Sequence, residues 1–95
     1  MFVVSLKYIA PLPEVDALLH AHAAWLDRGY ADGVFLASGR KVPRNGGVIL
    51  ASGERAALEA RLSEDPFAKG GVARHDIIEF APSMTAAGLE SLKKA

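Results

Sequence analysis

Three histidines and a short basic cluster are the residues of this chain best suited to chemistry: His20, His22 and His75, with Arg40, Lys41 and Arg44. Spacing singles out His22. Val15, Leu18, Leu19, His22 and Leu26 recur at intervals of three and four, which draws an apolar stripe along one side of a helix. His20 is two positions away and points to roughly the opposite side, toward water. An imidazole inside a core-facing stripe needs a hydrogen-bond partner, because leaving a buried polar group unpaired costs about 1–3 kcal/mol.

Asp65 is the best partner on offer. If the helix carrying Leu58 and Leu62 runs on, Asp65 falls on the same inward stripe. A carboxylate at a helix C-terminus also meets the negative end of the dipole, at a cost of roughly 0.3–1 kcal/mol. A hydrogen-bonding or cationic partner would rationalise it there. The plainer alternative is a turn residue ahead of Pro66. A carboxylate bound to one imidazole nitrogen fixes the tautomer and leaves the other nitrogen for a cleft. Such a pair suits proton abstraction, elimination, isomerisation or water activation on a small organic molecule.

The remaining candidates are weaker. Arg40, Lys41 and Arg44 can hold a carboxylate or phenolate, or form a solvated loop tip. His20 and His75 show no partner pattern. His20 and His22 do not make a chelating pair on a helix, so no metal site is expected. Trp25 and Tyr30 read as packing residues. Gly46-Gly47 lies in a hairpin and not between a strand and a helix, so it is no phosphate loop.

The elements that must position these residues follow from local pattern. Phe2 to Tyr8 alternates with period two and reads as a strand. Pro11 and Pro13 break it. A helix is expected from Glu14 to Tyr30, stopped by Gly29 and Gly33. Val34 to Ser38 and Gly47 to Ser52 read as a hairpin with a long basic tip at Asn45-Gly46. A second helix, capped by Ser52, ends near Asp65 because Pro66 disfavours helical backbone before it. Val72 to Phe80 is the last strand, with Ile78 and Phe80 on one face and Ile77 on the other. The tail from Ser83 to Ala95 is expected as a short helix using Met84, Leu89 and Leu92.

Strand, helix, strand, strand, helix, strand is the split βαβ, ferredoxin-like α+β arrangement: βαββαβ with a four-stranded antiparallel sheet. One domain over residues 1–82 and a tail over 83–95 are expected. Val3, Ile49 and Ile77 make several strands apolar on both sides. An antiparallel sheet with one wet face alternates more cleanly, so a second copy is expected over the open face, giving a homodimer.

Composition narrows the function. The 95 residues hold 11 basic and 11 acidic side chains. A neutral chain has no electrostatic footprint for nucleic acid or an anionic membrane surface. Cysteine is absent, which excludes disulfides and thiolate nucleophiles and fits a cytoplasmic protein. The N-terminal apolar run reads as a strand and not as a signal peptide, and no stretch nears the roughly 20 apolar residues of a membrane span.

Several segments carry a family resemblance: His22-Ala23-Ala24-Trp25-Leu26, Ala37-Ser38-Gly39, Gly46-Gly47-Val48-Ile49, Asp65-Pro66-Phe67 and Gly70-Gly71-Val72. In this order and spacing, across most of Phe2 to Phe80, the chain resembles the YciI-like (YCII-related) family of small dimeric proteins. The resemblance implies a dimeric α+β barrel in which open sheet faces pack together. It also implies an active site built on a histidine and an aspartate, here His22 and Asp65. Ser38, Gly39, Arg40 and Phe67 are the expected substrate-binding residues. Arg40 stands where the family usually has proline or another small residue. Ser38 opens a Ser-His-Asp alternative, although no oxyanion-hole motif accompanies it.

The expectation is a cofactor-independent enzyme acting on a small, partly apolar molecule such as a ring compound or lactone. The competing expectation is a non-catalytic ligand-binding or accessory module in which His22–Asp65 is a structural pair. Fold alone does not decide between them.

Overall fold

Phe2–Tyr8 forms the first strand, β1, and its alternation sets the layers. Phe2, Val4 and Leu6 are buried against helices, whereas Val3, Ser5 and Lys7 turn to the opposite face. In the computed structural model, which describes residues 1–94, β1 is followed by α1 (Leu12–Ala17), α2 (Leu19–Ala31), β2 (Phe35–Arg40) and β3 (Gly46–Ala51). Then come α3 (Arg55–Ser63), α4 (Pro66–Lys69) and β4 (Ala73–Glu79). All strand pairings are antiparallel, in the order β2-β3-β1-β4. Each βαβ unit is split by a strand of the other, so the fold is the ferredoxin-like α+β arrangement.

The expected single helix from Glu14 to Tyr30 is two. It breaks at Leu18, whose φ of −105° and ψ of 0° leave the helical region. No glycine or proline marks the break. Leu18 packs instead onto Gly70 at the end of α4, where a Cβ would collide with its side chain. The inward residues after the break are His22, Trp25 and Gly29. Leu19, placed in the stripe by spacing, is exposed.

Register decides which residues face the helices. Paired residues of antiparallel strands share a face. Val4 pairs with Ile49 and Ile77, so both isoleucines lie on the helix side and not on the open face. The open face carries Val3, Leu50 and Ile78 in one row, with Val48 and Ser5 in the next. Its apolar end holds Val3, as expected, with Leu50 and Ile78 in place of Ile49 and Ile77, and it turns polar toward Ser5, Asp76, Lys7 and Arg74.

Trp25 and Phe35 meet edge to face at 5.1 Å in the core, and the Trp25 Nε1–H donates to the Arg61 carbonyl at 3.1 Å. Ser52 does not cap α3: its hydroxyl donates to the Gly33 carbonyl, and Glu54 holds the N-cap position. The tail forms a 3-10 turn over Glu90–Lys94 rather than a helix from Ser83, with Met84 exposed. Ala95, included in the tail expectation, lies outside the described residues.

Candidate functional site

The site begins at Asp65-Pro66-Phe67. α3 stops at Ser63, and Asp65 does not extend it. Asp65 is the N-cap of α4, with Pro66 at the first helical position and the Asp65 carboxylate accepting the Phe67 N–H at 3.0 Å. Aspartate followed by proline is a favoured helix start. The expectation of a carboxylate stranded at a helix C-terminus is therefore corrected: here it meets the positive end of a short helix.

Asp65 is 0% exposed. Its Oδ1 lies 2.7 Å from Nδ1 of His22. Its Oδ2 lies 2.9 Å from Nε2 of His75. An ionised carboxylate only accepts, so both imidazoles present an N–H to it. The sequence reading left His75 without a partner. The missed signal was alternation: His75 shares its face with Ile77, so it points inward, where a polar ring needs a bond.

Burial pushes the Asp65 carboxyl upward. The hydrogen bonds from His22, His75 and the Phe67 N–H outweigh it and hold the group below its ordinary value. The carboxylate thus stays charged inside the protein.

The His22 ring is fixed on its faces as well as its edge. It stacks on Phe67 at 3.9 Å, nearly parallel at 4°, with Trp25 tilted beside it at 5.5 Å. Phe67 therefore holds the site twice, by its backbone N–H on Asp65 and its ring on His22. With Nδ1 committed, Nε2 of His22 is the free nitrogen. The buried side-chain polar atom without a partner among the described residues is Thr85 Oγ1. His22 Nε2 is thus bonded to no protein atom and open to solvent.

It opens onto a cleft of about 540 Å³ between α1, α2 and the β2–β3–β1 part of the sheet. His22, Ser38, Gly39, Arg40 and Phe67 all line it; Asp65 sits behind His22 and does not. Leu6, Leu19, Leu26 and Ile49 supply apolar wall. β2 runs two residues further than expected, which puts Gly39 and Arg40 in a strand and not in a loop tip. Ser38 Oγ is 2.6 Å from the Tyr30 hydroxyl and makes no bond to His22, so the arrangement is not a Ser-His-Asp triad. Tyr30, read as packing, also anchors Ser38.

Arg44 reaches from the hairpin to Asp16 on α1 and lies 5.8 Å over the Tyr8 ring. Among the described residues no group of three or more histidines and carboxylates is placed to hold a metal ion. No helix of these residues is long and apolar enough to cross a membrane.

Among solved structures the chain is similar to the 5-chloro-2-hydroxyhydroquinone dehydrochlorinase of Burkholderia phenoliruptrix AC1100, determined in complex with 2,5-dihydroxybenzoquinone. The two share 16% identity, with a TM-score of 0.67 over 84% of this chain and 93% of that one. At this identity the likeness is one of fold. No curated protein matches the chain. The YCII-related domain matches residues 1–81, nearly all of the βαββαβ unit and both members of the His22–Asp65 pair, and the chain belongs to that family.

Proposed function

We propose that this protein is a small enzyme that moves a proton on a small, partly apolar organic molecule, with His22 as the acid–base group and Asp65 as its orienting carboxylate. The observation that carries the reading is the 2.7 Å bond from His22 Nδ1 to a fully buried carboxylate, with Nε2 left open at the cleft. The Nε2 lone pair takes a proton from a substrate C–H or O–H. Asp65 stabilises the imidazolium that results, and the proton is then returned to a leaving group or a neighbouring atom. No cofactor is needed for such a transfer. The dehydrochlorinase of similar fold acts on a hydroxylated ring, which supports beginning a substrate search with ring compounds.

The test is a panel of hydroxylated and carboxylated ring compounds, followed by NMR in D2O for elimination or ring-proton exchange. Turnover lost in His22→Gln supports the reading; turnover retained overturns it.

The working unit in this proposal is a homodimer joined through the open sheet face. Val3, Val48, Leu50 and Ile78 lie there, Val48 and Ile78 well exposed in the single chain, and contiguous apolar surface of that kind is uncommon on a monomer. Sedimentation at micromolar concentration is expected to give twice the chain mass of 10.1 kDa, and Ile78→Lys is expected to shift it to the monomer. A stable monomer in the unsubstituted protein removes the dimer.

A further inference from the structure

The cleft has an unbalanced positive charge. Two arginines line it, and only one has an acid. Arg44 is paired with Asp16. The Arg40 side chain has no hydrogen bond or ion pair among the described residues. Asp65 cannot serve it, being sealed behind His22 and committed to three N–H donors.

The sheet register gives Arg40 its place. Arg40 pairs with Gly47, Gly47 with Leu6 and Leu6 with His75, one row on the helix-facing side of the sheet. Gly47 puts no side chain between Arg40 and Leu6. The floor of the cleft is therefore open from the arginine to the apolar wall beside His22. A guanidinium is weakly hydrated and presents a planar fork of donors that matches a carboxylate through two parallel hydrogen bonds. Arg44 already uses a carboxylate of the protein in this cleft; Arg40 has none to use.

We propose that the cleft takes a small organic carboxylate with a flat apolar body. Arg40 holds the carboxylate. Leu6, Leu19, Leu26 and Ile49 enclose the body, which lies beside Nε2 of His22. This rests on the reading of the cleft as the substrate pocket of His22 and adds the charge of the substrate to it.

The experiment is a titration of the full chain with benzoate, read by calorimetry and by the ring resonances of His22. Benzamide serves as the neutral isostere and 4-nitrophenolate as an anion without a carboxylate. Benzoate is expected to bind and to shift the His22 signals, with benzamide and 4-nitrophenolate each at least about tenfold weaker. Arg40→Gln is expected to weaken benzoate by about tenfold or more and to leave benzamide unchanged. Arg40 is exposed and bonded to nothing among the described residues, so this variant keeps the fold. Equal binding of benzoate and benzamide, no effect of Arg40→Gln, tighter binding of 4-nitrophenolate, or no benzoate binding at millimolar concentration would each overturn the proposal. Benzoate binding in His22→Gln keeps the two readings apart. If that variant still binds benzoate but has no turnover, both stand. If turnover survives, the catalytic reading falls and the carboxylate site remains.

Discussion

Asp65→Ala is expected to lower the free energy of unfolding by about 3–5 kcal/mol, the range for removing one partner of a buried charged pair. At roughly 4–8 °C per kcal/mol for a domain of this size, that is a fall in Tm of at least about 12 °C. The loss has three parts. The Phe67 N–H loses its acceptor, so α4 loses its cap. The Nδ1–H of His22 and the Nε2–H of His75 are both left without an acceptor in a region too enclosed for easy rehydration. A carboxylate-sized space also opens where Asp65 was fully buried. Urea melts of the two proteins at pH 7 measure the difference. A loss under 1 kcal/mol would mean that the two imidazoles find other partners and that Asp65 is no keystone.

The same carboxylate sets the response to acid. Its folded-state pKa is below the ordinary aspartate value, so the unfolded chain takes up the proton first as pH falls. The stability it supplies is fully present above about pH 3.9, the ordinary value. It is lost as pH drops through the lower folded value. In Asp65→Ala this contribution is absent, and the gap in stability between the two proteins should narrow on acidification, leaving the part due to the cavity.

What could be read from the chain divides by the range of the interaction. β1 was legible because Phe2, Val4 and Leu6 alternate with Ser5 and Lys7, a local pattern. His22 was legible because a polar ring in an apolar stripe is a local contradiction that only a partner resolves. Asp65 was found for partly the wrong reason. The proline that ends α3 also starts α4, and Asp-Pro read as an ending is equally a capped beginning. Gly-Gly-Val-Ile-Leu-Ala of β3 has no alternation, so pairing with Val4 and not local pattern decides that Ile49 faces the helices. Leu18, at the break between α1 and α2, packs against Gly70, over fifty residues away, a contact no local pattern reveals. His75 was legible in principle, since its face follows from that of Ile77, but its bond requires knowing where β4 lies relative to α4.

Asp65→Asn separates chemistry from architecture. The amide oxygen can still accept from the Phe67 N–H and from Nδ1–H of His22. The amide nitrogen then faces Nε2 of His75, where two donors would clash. His75 resolves this by moving its proton to Nδ1, which turns Nε2 into an acceptor. All three contacts survive, and the stability loss should stay near 1–2 kcal/mol, well short of that of Asp65→Ala. Nitrogen NMR of the ring signals detects the change, with His75 switching tautomer and His22 keeping its own. The amide cannot supply charge. An imidazolium formed at His22 during proton transfer would lose its counter-ion, and turnover is expected to fall by about 10²–10⁴, the usual worth of positioned acid–base catalysis. The double variant with His22→Gln should lose no more than His22→Gln alone, because the two residues act as one unit. Turnover within threefold of the unsubstituted protein would make Asp65 a structural anchor whose charge takes no part in the proton transfer.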